Sequence, residues 1–185
     1  KITELIRVPG GQTCRIGGKE GAKQGVEPHG AKYLKEFRLE SGIPIWRYQV
    51  GEIAFEKWIL MPYRQNTVHI GYRLVEGEGP VRIKLRFGMH FRPHDAPLGA
   101  GLPEKGYVLT VSEDRYEIQA PPMQPLRLCL LGAKGSFTIE NQRFADVRYR
   151  VEESRGYESQ GDLWSPGYLR FDLFPGREVA LVAST

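Results

Sequence analysis

Long apolar runs and cysteines are both scarce in this chain of 185 residues. A membrane-spanning helix needs about 20 consecutive apolar residues, and because no such run is present we expect no membrane partner. The two cysteines, Cys14 and Cys129, stand far apart and outside any zinc-ligand spacing, which excludes a disulfide-rich scaffold and a zinc finger. The sequence leaves a disulfide between them open but favours reduced thiols. The first residues lack the apolar core of a signal peptide, so we expect a cytoplasmic protein.

A large excess of charge of one sign is also lacking. The 26 Lys and Arg residues against 22 Asp and Glu residues give a net charge of +4, which is small for a nucleic-acid-binding protein. Arg82, Lys84 and Arg86 alternate along one predicted strand, and such a row suits phosphate groups, but it is routine on the solvated face of a sheet. The low net charge favours the solvated face, so we expect no nucleic-acid partner. The sequence contains no phosphate-binding loop, dinucleotide fingerprint or nucleophile elbow.

Turn-forming residues and period-two alternation are abundant. The chain has 22 glycines and 13 prolines, and few of its segments show a helical period. The clearest alternation covers 80–87, where Val81, Ile83, Leu85 and Phe87 share one face and the three basic residues share the other. We therefore predict an all-β fold, a two-sheet antiparallel β-sandwich with little or no helix.

The same patterns divide the chain into strands and loops. Loops are predicted at 17–30, 93–106 and 154–167, where glycine, proline or polar residues break the alternation. The predicted strands comprise a four-stranded antiparallel meander at 43–50, 52–61, 67–75 and 80–87, short strands at 107–111, 115–119, 126–131 and 144–153, and two final strands at 168–173 and 177–183.

Two long segments carry a resemblance to a known family. The first covers 37–91 and reads FRLESGIPIWRYQVGEIAFEKWILMPYRQNTVHIGYRLVEGEGPVRIKLRFGMHF, and the second covers 161–179 and reads GDLWSPGYLRFDLFPGREV. Both resemble the N-terminal domain of glycogen debranching enzymes of the bacterial and archaeal amylo-α-1,6-glucosidase type. Together with the segments between them they cover most of the chain, which makes the resemblance far more specific than a short motif.

The resemblance implies a fold and a role. The family domain is a β-sandwich of the mutarotase-like supersandwich type, and it precedes an (α/α)-barrel whose carboxylates hydrolyse the α-1,6-linked glucose. We therefore expect 1–185 to be a single, non-catalytic sandwich domain that supports this barrel and helps to bind branched α-glucan such as glycogen, with no catalytic residue, cofactor or metal of its own. Since the chain begins with Lys1 and its last residues have strand character, we expect a fragment of a longer enzyme that contains the barrel.

Polar and aromatic residues in the predicted loops are the candidate substrate-binding residues. His90, Arg92, His94 and Asp95 crowd the start of the long loop, and they lack a zinc signature. In relatives the strand before this loop also ends in aromatic, basic and His residues, so the resemblance suggests a rim that contacts sugar or the barrel. Trp164 is expected in the loop 154–167, where its indole either contacts a sugar face or the barrel, or packs on its own sandwich.

Other interpretations stay open at this stage. Trp58 stands among apolar residues and is expected in the core, whereas Trp46 suits either the core or a sugar platform. A stand-alone enzyme of the mutarotase type would need a histidine and a carboxylate on one concave face, and His69 and His90 are its candidates. A purely structural interaction domain is the third possibility.

Overall fold

The computed structural model describes residues 1–21, 25–93, 96–102 and 107–185. These residues form fifteen strands, a 3-10 turn at Ala31–Tyr33 and one short helix, α1 (Arg150–Ser154). The strands are β1 (Ile2–Arg7), β2 (Thr13–Ile16), β3 (Lys19–Gly21), β4 (Gly25–Glu27), β5 (Leu34–Glu40), β6 (Ile43–Val50), β7 (Ile53–Leu60), β8 (Thr67–Glu76), β9 (Val81–Phe87), β10 (Val108–Ser112), β11 (Arg115–Gln119), β12 (Leu126–Leu131), β13 (Ser136–Arg148), β14 (Gln160–Leu173) and β15 (Glu178–Ser184). Within the described ranges, no helix has the length and apolarity needed to cross a bilayer.

The strands form two antiparallel sheets. The seven-stranded sheet has the order β2-β1-β9-β14-β13-β3-β4, and the eight-stranded sheet has the order β10-β11-β12-β15-β8-β7-β6-β5. Apolar side chains from both sheets make one buried cluster, as in two sheets that face each other. The predicted all-β sandwich with little helix is therefore confirmed.

The core follows the alternation of the sequence. In β9 the four apolar residues Val81, Ile83, Leu85 and Phe87 are all buried, and the alternate residues of β8 are buried in the same way. The ring of Tyr72 in β8 meets that of Phe171 in β14 across the interface between the sheets, at 5.9 Å between centroids. These contacts lock the two sheets together and give the loops at their ends a rigid support.

The predicted four-stranded meander is wrong in its last strand. Strands β6, β7 and β8 are consecutive neighbours, but β9 lies in the other sheet between β1 and β14. The turn that carries the chain across requires glycine at Gly77, whose φ is +93° and whose added Cβ would lie 2.8 Å from the carbonyl oxygen of Glu52. Alternation shows that a strand has one buried face. Because both sheets of a sandwich bury one face, alternation alone does not show to which sheet a strand belongs.

Three predicted loop or strand boundaries are also corrected. The loop at 154–167 is wrong for most of its length, because it contains the end of α1 and the start of β14. The Pro166–Gly167 step that suggested a loop lies within β14, at one of the two places where the register with β13 shifts. The predicted loop 17–30 contains the hairpin strands β3 and β4, and the predicted strand 144–153 is the end of β13 followed by α1.

Candidate functional site

Trp164 lies in a strand and packs on its own sandwich. Its backbone N–H and carbonyl both pair with Met89, each at 2.9 Å. Its half-buried indole meets the ring of Tyr107 edge-on, at 5.1 Å between centroids and an angle of 90°, and it packs against the buried cluster. The structure therefore shows Trp164 packed on its own sandwich, and a contact of its exposed part with sugar or the barrel stays a prediction.

Tyr107 joins this aromatic residue to the start of the long loop. Its hydroxyl oxygen accepts a hydrogen bond from the N–H of Phe91 at 3.0 Å, and the two rings meet at 4.8 Å. Tyr107 is itself buried. The rings of Phe91, Tyr107 and Trp164 thus form a packed base, which we call the rim base, for the polar residues that follow β9.

His90 and Arg92 are the predicted contact residues that flank Phe91 of the rim base in the sequence. Both are half-buried, and the Arg92 guanidinium donates a hydrogen bond to the carbonyl oxygen of Ala96. Partial burial and the positive charge of Arg92 lower the pKa of His90, against the opposing effect of Asp162. His90 is therefore largely neutral near pH 7 and can both donate and accept a hydrogen bond. His94 and Asp95, the other two predicted residues, lie outside the described residues.

Asp162 is the acidic side chain of this region. It accepts hydrogen bonds from the Arg143 Nε at 2.7 Å and from the backbone N–H of Asp146 at 2.9 Å. Burial raises the pKa of this carboxyl, but these donors and the Arg143 charge outweigh it and the pKa is lowered. The group is therefore an ionised structural anchor rather than a proton donor at neutral pH. Within the described ranges, no group of three or more His, Cys, Asp or Glu side chains is arranged to hold a metal ion.

The mutarotase-like alternative needs one histidine with a carboxylate, and its two candidate histidines lie in different parts of the fold. His69 belongs to β8 of the eight-stranded sheet, whereas His90 follows β9 of the seven-stranded sheet. The basic row of β9 is also engaged by neighbours on the outer face. Arg82 forms two hydrogen bonds with Asp172, at 2.8 and 3.0 Å, and the Lys84 ammonium lies 3.5 Å from the centroid of the Tyr168 ring.

Trp58 is not in the core, contrary to the prediction. It lies outside the buried cluster, and its indole covers Gly71 of the neighbouring strand so closely that an added Cβ there would fall 1.9 Å from the ring. Alternation explains this position, because the neighbouring Lys57 faces the sandwich interior and Trp58 must then face outward. The apolar neighbours of Trp58 along the chain gave a misleading signal.

A buried charged cluster was missed by the sequence analysis. The Glu4 carboxylate in β1 pairs with the Lys57 ammonium at 2.7 Å and accepts a hydrogen bond from the Tyr72 hydroxyl at 2.5 Å. Burial and then the charge of Glu4 raise the pKa of Tyr72 well above its usual value, and the same two causes raise the pKa of Tyr48 to about 12. A carboxylate between the inward residues Ile2 and Ile6 of an alternating strand was the available signal.

A family model described as glycogen debranching enzyme N terminal matches residues 1–180. The chain belongs to this family. A search of curated proteins found no match to the chain. Among solved structures, the crystal structure of a heparan sulfate lyase HepC mutant from Pedobacter heparinus aligns with 82% of this chain and 21% of its own, at 11% identity and a TM-score of 0.46. The chain thus spans about a fifth of the length of that protein.

Within this debranching-enzyme N-terminal domain, the two polar arrangements differ in what they can do. Glu4 and Tyr72 are almost fully buried, so their cluster joins the two sheets and is closed to a substrate. His90 and Arg92 retain solvent exposure beside a rigid aromatic base, and both can donate hydrogen bonds to hydroxyl groups. The rim is therefore the part of the predicted site that remains open to a ligand.

Proposed function

We propose that this chain is the non-catalytic N-terminal β-sandwich module of a glycogen debranching enzyme. The module supports an (α/α)-barrel in the same polypeptide and helps to bind branched α-glucan, while the barrel hydrolyses the α-1,6-glucosidic bond. The observation that carries the proposal is the family match, which extends over 1–180 and so leaves almost none of the chain outside the family domain. A protein of two sheets whose loops stand on a rigid core suits such a binding and supporting role.

The rim is the proposed contact surface for the glucan or the barrel. Arg92 and His90 supply hydrogen-bond donors, and they flank Phe91, whose ring packs on Tyr107 and through it on Trp164. His94 and Asp95 extend the same stretch of sequence. Sugar hydroxyl groups and backbone carbonyls both accept from a guanidinium, so either partner fits the chemistry of this rim.

Native electrophoresis of the chain through gels with and without glycogen tests the proposal. Wild-type protein is expected to be retarded by glycogen, and Arg92→Ala is expected to reduce the retardation. Arg177→Ala serves as the matched control, because Arg177 is an exposed arginine at the turn after the opposite end of β14. Unchanged mobility of the wild type in glycogen gels would contradict a glucan-binding role for the module. Equal retardation of all three proteins would instead remove Arg92 from the glucan contacts.

A further inference from the structure

One edge of the sandwich leaves apolar inner-face side chains uncovered. Strand β5 is the edge of the eight-stranded sheet, and Phe37 and Leu39 on its inner face are 54% and 66% exposed. On the adjacent strand, Trp46 stands opposite Phe37 and is only half-buried. Large apolar side chains that alternate toward an interior are normally covered, so this edge presents an unused aromatic surface.

A cleft opens beside these aromatic residues, between the edge of the eight-stranded sheet and the β3–β4 hairpin. We call it the edge cleft, and its volume is about 420 Å³, which falls within the roughly 300–1,000 Å³ of small-molecule sites. Its lining includes Val26, Pro28, Leu34, Trp46, Tyr48 and Glu20. Gly17 and Gly30 also line it, and Gly30 packs so closely on Gly17 that an added Cβ would lie 2.5 Å from the Gly17 nitrogen.

The rings of Phe37 and Trp46 pack against each other beside the edge cleft, which Trp46 lines. The centroids of Phe37 and Trp46 are 5.4 Å apart, and their planes are inclined by 45°. The Lys57 ammonium lies 5.9 Å from the Trp46 ring and is itself fixed by its ion pair with the buried Glu4. A preorganised aromatic pair loses little conformational entropy on binding, which favours affinity.

From this geometry we infer that the edge cleft is a subsite for an α-linked glucan chain. The C–H face of a pyranose packs on an aromatic ring and leaves its hydroxyl groups free at the edges. Successive sugars of an α-1,4-linked chain are inclined to each other because the chain curves, whereas a β-1,4-linked chain is a flat ribbon. Two rings inclined by 45° therefore match the curved chain. The inference rests on the proposed function and adds to it a location separate from the rim.

The charged groups beside the cleft favour a sugar over an apolar surface as the partner. The half-buried Glu20 carboxylate lines the cleft and pairs with Arg150 of α1. Lys57 keeps 17% of its side chain exposed behind Trp46. An apolar partner would have to bury such groups without new hydrogen bonds, which is costly, whereas a sugar can both donate to a carboxylate and accept from an ammonium group.

Titration calorimetry of the 185-residue chain with maltoheptaose and with cellohexaose tests this inference. Wild-type protein is expected to bind maltoheptaose and not cellohexaose. Phe37→Ala and Trp46→Ala are expected to weaken maltoheptaose binding by about tenfold or more, the effect of losing a central aromatic contact. Tyr63→Ala is the matched control and should bind as wild type does, because Tyr63 is an aromatic residue with 86% exposure outside the cleft. Urea unfolding confirms the fold of each variant, and if Trp46→Ala is unfolded, the exposed Phe37 decides alone.

The outcomes separate this inference from the proposed function. If wild type binds maltoheptaose and both Phe37→Ala and Trp46→Ala bind it equally well, the edge cleft is not the subsite. The module would then bind glucan through another surface. Equal affinity of wild type for cellohexaose would overturn the selection of the curved chain. No binding of maltoheptaose or glycogen by wild type would overturn both the subsite and the glucan-binding role.

Discussion

At the scale of single residues, the ion pair between Lys57 and Glu4 makes the sharpest prediction about stability. Among the described residues, replacing Lys57 with Met leaves the buried Glu4 carboxylate with the Tyr72 hydroxyl as its one remaining partner. Removing one member of a buried pair costs about 3–5 kcal/mol, and the remaining exposure of Lys57 places the expected loss near the lower end. The loss is read from the midpoint of urea unfolding at unchanged slope.

Two further variants decide whether charge is the cause. Adding Glu4→Gln to Lys57→Met removes the uncompensated charge while the amide oxygen still accepts from Tyr72, so the double variant should recover most of the loss. Lys134→Met, at an exposed lysine, should stay within about 0.5 kcal/mol of wild type. A single variant as stable as the double one would show that the Glu4 charge is not buried in solution.

Prediction of buried residues from the sequence succeeded where alternation alone decides burial. Alternation placed Val81, Ile83 and Leu85 correctly in the core. It failed at Trp58, because local hydrophobicity was weighed above the strand register that turns this side chain outward over Gly71. Glu4 was readable as an inward carboxylate, but its partner Lys57 lies on another sheet, and no local pattern identifies such a partner.

At the scale of elements, the irregular part of β14 depends on Gly167. This residue has a φ of +147°, and an added Cβ would lie 2.0 Å from the carbonyl oxygen of Thr138 in β13. Gly167→Ala is therefore expected to destabilise the fold by at least about 1–3 kcal/mol, measured as a lower Tm. Gly101→Ala is the control, because an added Cβ there meets no described atom within 4 Å. An unchanged Tm for Gly167→Ala would mean that β14 shifts its register at little cost.

How well each element was predicted depended on whether its sequence signals agree. Regular strands such as β6, β11 and β12 match their predicted bounds, since alternation and flanking turn residues agree there. Strand β14 was predicted to begin at 168 because Pro166 and Gly167 are typical loop residues, yet together they form an irregularity within a longer strand. The prediction that Trp164 lies in a loop was wrong for the same reason.

At the scale of the whole molecule, the pairing of strands distant in sequence decides the architecture. Strand β1 pairs with β9, and β15 lies between β8 and β12. The sequence of one strand carries no signal for a partner that is distant along the chain. The residue pattern therefore predicted a sandwich and its buried faces, but it did not predict which strands pair within each sheet. The exposed Phe37 lies on β5, the edge strand of the eight-stranded sheet, and no pattern within β5 alone shows that it is an edge strand.

The two cysteines lie on different sheets and differ in burial. Cys14 in β2 of the seven-stranded sheet is buried in the common core, and its burial raises the pKa of the thiol to about 11. Cys129 in β12 of the eight-stranded sheet alternates with the buried Leu128 and Leu130 and is half-buried, so it faces outward and the two thiols cannot pair. Iodoacetamide at pH 8 should therefore label Cys129 in the native protein and leave Cys14 unlabelled.

Labelling of Cys14 then measures the separation of the sheets. Because both sheets bury this thiol in one shared core, its labelling rate should rise with urea in parallel with global unfolding, whereas the rate at Cys129 should change little before the transition. Raising the pH toward 11 increases the thiolate fraction of Cys14, but burial still blocks the reagent, so native Cys14 should remain slow relative to Cys129. Rapid labelling of Cys14 without denaturant would show that β2 opens on its own, and the sandwich would then not behave as one cooperative unit.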